Sequence, residues 1–349
     1  MGKLVLVLAC LLGPVPALAQ PIEAITFDEA IRRATTGNPT MQEAAAGILR
    51  AEALLQQTRA LSLPSMNALL ATSMIGPVPE FGGQTIVPRS QLNASIGLSA
   101  PVLQAVRWAQ RAHAADQVTV SQRMSDEMRR QVAVATADAY LAVITLRRVQ
   151  ELNERARDNA KAHFDYSQQR YEGGLGSRLN AVRAQQALST DEARVEVAGL
   201  EVRRAQEALG VLVAADGPMD AAGDPVFEVP PESLASHAPD RAFLDRRADL
   251  RWFAARETAA ERVLTDSWRE YLPSVDVLFT PQLLTPSGLF APSRSWSVTF
   301  LASVPIFEAG ERRGRARERR ALVDSVRAER AGVERQASSE VRTAREAVV

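Results

Sequence analysis

RSWSVTFLASVP (294–305) and QLNASIGLSAP (91–101) share one pattern. In the first, Trp296, Val298, Phe300, Ala302 and Val304 fall on one side. Ser295, Ser297, Thr299 and Ser303 fall on the other, with Leu301 the exception. In the second, Leu92, Ala94, Ile96, Leu98 and Ala100 oppose Gln91, Asn93, Ser95, Gly97 and Ser99. A period of two is the strand signal. Each stretch ends at a proline, Pro101 or Pro305. Each follows a Gly/Pro-rich loop, an earlier alternating stretch and a Leu-Pro-Ser opening, at Leu63-Pro64-Ser65 or Leu272-Pro273-Ser274. Pro64 and Pro273 are 209 residues apart, and Pro101 and Pro305 are 204 apart. The flanks ALLQQTRALSLPS (53–65) and RVLTDSWREYLPS (262–274) align as well. Such an internal repeat constrains a fold more than any single residue does.

A tilted barrel strand crosses a bilayer in about 9–11 residues, apolar toward lipid and polar toward the lumen. The four stretches have that length, and strands are expected at about 64–75, 91–100, 273–283 and 294–304. The first strand of each copy is less regular. VDVLF (275–279) alternates, but Leu69-Leu70 breaks the alternation in the first copy. Alternation alone favours a half-buried hairpin in a soluble domain. The amino terminus favours export. Lys3, the apolar run Leu4 to Leu12, Pro14, Pro16 and Ala17-Leu18-Ala19 read as a secretory signal over residues 1–19. Cys10, the one cysteine, lies inside it; lipidation of Cys10 is the weaker alternative. A mature chain beginning after Ala19 has no cysteine for a disulfide or thiolate metal site.

Removing Lys3 leaves 40 basic against 41 acidic residues, a near-neutral balance that argues against nucleic-acid binding. No apolar run of about 20 residues follows the signal, so a helical span is not expected. An exported membrane protein without one is expected to be a barrel.

Elsewhere the pattern is helical. Residues 28–62 are rich in Ala, Gln, Glu, Leu and Arg, punctuated by Asn38-Pro39. From Val102 to about Glu172 there is neither Pro nor Gly, and Met128, Val132, Ala135, Ala139, Ala142, Leu146 and Val149 form a candidate stripe. Gly173-Gly174-Leu175-Gly176 forms a turn, and a return helix follows over 177–213. Its seam repeats every seven residues, with Leu188, Val195, Val202 and Leu209 at one position and Asp191, Ala198, Ala205 and Leu212 at the other. A sustained heptad implies a left-handed coiled coil. Asp191 in that seam is expected to mark a wet or lumen-facing point. At 1.5 Å per residue, helix 102–172 would be about 106 Å long. The return helix (about 57 Å) and helix 39–62 (about 36 Å) would together nearly match it. A tube crossing the periplasm uses such a helix; a globular domain does not.

With these features the chain resembles the TolC family of outer-membrane efflux proteins, also called outer membrane factors. The resemblance rests on the duplicated strand pairs, the long helix, RYEGGLGSRLNAVRAQQAL (170–188) as a hairpin tip and ITFDEAIRRATTGNPTM (25–41) as an opening helix. It runs from about residue 25 to 349. It implies a mainly α fold with β, in which long coiled-coil hairpins carry two β-hairpins. Three protomers would each give four strands to one 12-stranded barrel above a tapering helical tunnel. The first repeat would span 20–213, the linker 214–239 would belong to a belt around the tunnel, and the second repeat would span 240–349 with a helix from about 306. An inner-membrane pump and a periplasmic adaptor would dock at the helix tips, making the protein a passive duct with no catalytic role and no cofactor or metal. Drug, metal and protein cargo are not distinguished by the sequence. An adhesin-like trimer without a pump, or a soluble periplasmic scaffold, are the alternatives.

The resemblance makes Gly174, Leu175, Gly176 and Ser177 the candidate adaptor contact. These glycines also suit a plain turn. Asn180 stands where the family often has an Asp that helps close the tunnel; an amide hydrogen-bonds but forms no ion pair. Pro64, Pro101, Pro273 and Pro305 are expected at strand–helix junctions, with Pro101 and Pro305 ending strands. Arg312, Arg313, Arg315, Arg317, Arg319 and Arg320, interleaved with Glu311 and Glu318, are expected to form a solvated helix face; selectivity for anionic cargo, or contact with envelope polymers, is the sharper reading. His113, His163 and His237 are far apart, and the first two are expected on coiled-coil surfaces. In the first copy the turn follows the strand-ending proline by 72 residues, which puts the second turn near 377, beyond Val349. The second hairpin is thus expected to be incomplete, and a chain ending there to assemble poorly into a closed trimer.

Overall fold

A computed structural model of the protein describes residues 22–227 and 241–348. The expected signal with Cys10, His237 and linker residues 228–239 lie outside the described residues. In chain order the elements are β1 (Glu23–Ile25), α1 (Phe27–Gly37), α2 (Pro39–Ala60), β2 (Ser65–Met74), β3 (Glu80–Phe81), β4 (Gln84–Thr85), β5 (Ser90–Leu103) and α3 (Ala105–Glu172). There follow α4 (Arg178–Leu212), β6 (Met219–Ala221), α5 (Arg241–Leu244), α6 (Ala248–Thr265), a 3-10 turn (Asp266–Tyr271), β7 (Ser274–Thr285), β8 (Arg294–Ser303) and α7 (Glu311–Val348). The chain forms two compact units, one of 40–130 with 241–348, the other of 22–39 with 131–227.

The first unit is built on an antiparallel sheet in the order β2-β5-β7-β8. The strand pairs of both sequence copies meet in it, joined by β5 and β7. Leu69-Leu70 does not break β2: Leu70 keeps the apolar parity and Leu69 takes a polar-face position. Two expectations at the prolines need correction. The strand runs through Pro101 rather than stopping there: Pro101 pairs with Asp276, the register shifts, and Leu103 pairs with Val275. A bulge tolerates the missing proline N–H, so the ladder survives. Beyond Pro305 the helix starts at Glu311, not near 306. Ala309 and Gly310 have φ of 48° and 91°, a turn that no α-helix accommodates.

Below the sheet, α6 and α7 pack with a thin apolar seam. Leu250 and Ala260 of α6 and Val323, Val326 and Ala337 of α7 are buried. Charge pairs supply much of the remaining contact. Arg256 donates to Glu329 at 2.9 Å, Glu257 accepts from Arg327 and Arg330 at 2.9 Å each, and Glu261 also pairs with Arg327. Near one end, Arg247 donates to Asp249 at 2.8 Å and to Glu340 at 3.0 Å. His113 lies half-buried on the surface of α3. It sits 3.0 Å from Asp266, which also pairs with Arg269. His163 is exposed.

In the second unit, β1 and β6 pair in parallel, Glu23 to Met219 through Ile25 to Ala221. The stripe on α3 differs from the expected one. Val132, Thr136, Tyr140 and Val143 are buried, while Ala135 is exposed and Ala139 and Ala142 are half-covered. Tyr140 decides this. Its hydroxyl donates to the Gly223 carbonyl at 2.9 Å, and Phe27 meets its ring edge-on at 5.4 Å. Thr136 satisfies its own hydroxyl on the Val132 carbonyl at 2.7 Å, so two polar side chains can line the core. Asn38 caps the other end, donating to the Leu212 carbonyl at 2.9 Å. On α4 the heptad positions are the covered ones. Ala198, Val202, Ala205 and Leu209 are buried, and Leu188, Val195 and Leu212 are half-buried. Asp191 is also partly covered and pairs with Arg194 at 2.8 Å, one turn on, so the acid in the seam is neutralised within its own helix.

The α6–α7 pairs carry a pH dependence. Arg330 and Arg327 hold the Glu257 carboxyl below its ordinary range against the opposing effect of burial. For Asp249 burial is the largest influence and pushes upward, but bonds from Arg247 and from the Leu250 amide outweigh it and the net shift is downward. Carboxyls lowered in the folded state stabilise it above about pH 4 and lose that contribution as pH falls through the folded value. Stability in detergent is therefore expected to fall as pH drops below about 4. Glu257→Gln is expected to cost roughly 1 kcal/mol at pH 7 and to flatten the acid limb. Denaturation midpoints against pH check both; an unchanged limb in the variant would contradict the pairing.

Candidate functional site

Two places have the geometry of a working surface. The first is the hairpin tip between α3 and α4. The helix closes with Gly173 N donating to the Gln169 carbonyl at 3.0 Å, and Leu175 N donates back to the Arg170 carbonyl at 2.8 Å. Gly174 has a φ of 74°, which turns the chain. A Cβ on Gly176 would lie 3.0 Å from Tyr171 N and 3.1 Å from the Arg170 carbonyl carbon, so the following segment crosses close over the helix end. Ser177 then caps α4, its hydroxyl accepting from Leu179 N at 3.1 Å. Arg170 stiffens the turn from outside. Its guanidinium stacks on the Tyr166 ring at 5.7 Å and donates to the Leu175 carbonyl at 3.2 Å.

This rigid turn presents apolar side chains to solvent. Leu175 is 77% exposed, and Tyr171, Leu179 and Val182 are exposed beside it. Ser177 and Asn180 are exposed as well. Asn180 N donates to the Ser177 carbonyl within the first turn of α4, and its side chain adds no charge. The tip residues and Asn180 thus fall together, as their spacing requires.

The second surface is the four-stranded sheet, whose two faces differ in chemistry. Rows read across it give Met66, Leu98, Phe279 and Val298 on one face, with Ala100, Val277 and Phe300 in the next row. On the opposite face the rows are Ser65, Ser99, Leu278 and Thr299, and Leu69, Ser95, Gln282 and Ser295. Pro64 and Pro273 stand immediately before β2 and β7, and Pro305 two residues after β8. Asp276, on the polar face, accepts from the buried Gln104 at 2.7 Å where β5 passes into α3.

The arginine cluster divides. Arg312 pairs with Glu308 at 2.6 Å and lies 4.6 Å over the Tyr271 ring. Arg315 and Arg319 turn to Glu270, and Arg315 also to Glu311. Arg313, Arg317 and Arg320 remain exposed on the other side of the helix. Half of the cluster is therefore structural, which sequence interleaving with Glu311 and Glu318 did not reveal because Glu270 comes from another element. Among the described residues no group of three or more His, Cys, Asp or Glu could hold a metal ion, and no helix is long and apolar enough to cross a membrane.

The family model for the outer membrane efflux protein matches residues 30–215. No curated protein matches the chain by sequence. Solved structures share the fold. The CmeC outer membrane channel of Campylobacter jejuni superimposes with a TM-score of 0.77 at 15% identity, over 91% of this chain and 70% of that one. A membrane protein from Pseudomonas aeruginosa gives 0.77 at 20% identity, over 93% and 74%. The outer membrane protein VceC of Vibrio cholerae gives 0.70 at 17% identity, over 89% and 76%.

The tip geometry makes a specific demand on Gly176. Gly176→Ala is expected to cost about 1–3 kcal/mol, because the atoms it meets are mainly backbone and cannot step aside. The Leu175 amide should then exchange with solvent faster, since its bond to Arg170 is part of the same crossing. Unchanged exchange at Leu175 would show that the close approach does not hold the turn.

Proposed function

The chain belongs to the outer membrane efflux protein family, and on that footing we propose that it is the exit duct of a tripartite efflux or type I secretion system. It lies in the outer membrane and extends into the periplasm. The observation that carries the duct reading is the sheet with one apolar and one polar face. Exposed apolar rows suit lipid, and Ser, Thr, Asn and Gln rows suit a water-filled lumen. A four-stranded sheet with two open edges cannot stand alone in hydrocarbon, where every backbone polar group needs a partner. Joining β8 of one protomer to β2 of the next satisfies both edges. Three protomers give a closed barrel of 12 strands, to which each of the two repeats in a protomer contributes one hairpin.

Transport through it is passive. The pump and the cargo choice belong to an inner-membrane partner, and the segment around β6 belongs to a belt at the middle of the tunnel. The tip supplies the contact to a periplasmic adaptor. Leu175 is the apolar anchor, Gly174 and Gly176 hold it in place, and Ser177 lies at the rim. Asn180 sits at the closure position, where it contributes hydrogen bonding without an ion pair, so closure there is weaker than with a carboxylate.

The test is disulfide trapping in cells, with Ser177→Cys in the full chain and single cysteines along the helical hairpin of a co-expressed periplasmic adaptor. A covalent adduct at one or a few hairpin positions is expected, and Leu175→Ser should reduce its yield at least fivefold. No adduct at any position would overturn the adaptor contact.

A further inference from the structure

One residue on the apolar face of the sheet does not belong with its neighbours. The row Leu70, Ala94, Leu283 and Arg294 crosses all four strands, and its last member is a cation. Arg294 has the same parity as Trp296, Val298 and Phe300, so it projects from the face read as lipid-facing. It is exposed and has no charged or hydrogen-bonding partner among the described residues. It lies at the end of the sheet away from the helices, beside the loops 75–89 and 286–293.

Its depth can be estimated. Eight residues separate Arg294 from Ala302, the last apolar-face residue of β8 at the helix end. That is about 27 Å along the strand. At a barrel tilt near 40° it becomes about 21 Å of membrane depth, close to the height of an outer-membrane apolar band. Arg294 therefore stands at the outer boundary of the hydrocarbon, where an arginine costs little and its guanidinium reaches headgroups. One row further out lie Thr72, Leu92 and Thr285, which add two hydroxyls at headgroup depth. One row further in, Trp296 marks the interface as barrel aromatics do.

A groove of about 710 Å³ runs from Arg294 past Ala94, Ile96 and Trp296, and Gln282 and Ser295 of the intervening polar row also line it. An apolar channel ending at one unpaired guanidinium matches a ligand with acyl chains and an anionic head. Only Glu80 and Arg89 carry charge in the two adjoining loops, so little competes for or repels that head.

We infer that Arg294, with Thr72, Thr285 and the groove beneath, binds the phosphorylated glycolipid of the outer leaflet, the guanidinium taking a lipid phosphate in a forked pair of hydrogen bonds. This rests on the barrel reading above. The position at the helix-distal end selects the outer-leaflet glycolipid over inner-leaflet phospholipid.

The experiment is native mass spectrometry of the full chain, extracted from membranes and titrated with bis-phosphorylated lipid A, dephosphorylated lipid A or phosphatidylglycerol. Wild type is expected to retain bis-phosphorylated lipid A selectively. Arg294→Gln is expected to weaken that retention at least tenfold, Arg294→Lys less, and Arg89→Gln not at all. Equal retention by Arg294→Gln overturns the inference, as does equal retention of dephosphorylated lipid A or phosphatidylglycerol. A chain recovered without detergent overturns the barrel reading and the inference with it. A chain that needs detergent but ignores Arg294→Gln overturns the inference alone.

Discussion

The backbone ladder between β5 and β7 is the constraint on which the rest depends. These strands come from different sequence copies, yet they pair from Leu92–Thr285 down to Leu103–Val275. That pairing sets the parity of the whole sheet. A slip of one residue would turn Phe279, Val277 and Leu283 toward the polar side and Gln282 and Asp276 toward the apolar one. The bulge after Pro101 lets β5 absorb an extra residue without passing a slip to the rest of the ladder. The ladder also leaves β2 and β8 with open edges, and open edges in hydrocarbon demand a neighbour. Parity gives the sheet one apolar and one polar face, and the strand order leaves β2 and β8 as its edges.

Outside the sheet, stability is distributed differently. The α6–α7 pair has few buried apolar residues and many guanidinium–carboxylate contacts, several of them partly covered. Such pairs add little net stability but penalise misalignment, because a one-turn slide would leave Glu257 and Glu329 without their arginines. The tip works on another principle. Gly174 supplies the positive φ and Gly176 the close crossing over the helix end, and with Leu175 N bonded to the Arg170 carbonyl the Leu175 side chain is left exposed.

Much of this was legible in the sequence, and the reasons for the rest are physical. The strand pairs were readable because a sheet with one apolar and one polar face imposes a period of two, as from Trp296 to Phe300. The α4 seam was readable because its heptad holds from Leu188 to Leu212. The α3 stripe was misread because Thr136 and Tyr140 look polar, and their burial depends on bonds to Val132 and to Gly223, 83 residues away. The parallel pair of β1 and β6 has three residues per strand, too few for any period to show. The late start of α7 depends on backbone angles at Ala309 and Gly310, and alanine gives no warning of a positive φ. The tip was visible as a glycine turn, but the roles of Arg170 and Tyr166 in stiffening it were not, since nothing in their spacing marks a stacked pair. Arg294 escaped notice because it sits at a strand end, where one charge reads as a loop residue.

The most direct test of the account is whether β2 and β8 meet between protomers. Asn67 on β2 and Ser295, Ser297 and Thr299 on β8 all lie on the polar face, where cysteine pairs within about 7 Å between Cα atoms can form a disulfide. Asn67→Cys should be combined in turn with cysteine at each of the three in the full chain, and membranes analysed without reductant. The account predicts a ladder of intermolecular species ending at three chains for at least one pair. Monomers alone from every pair would contradict a barrel closed edge to edge.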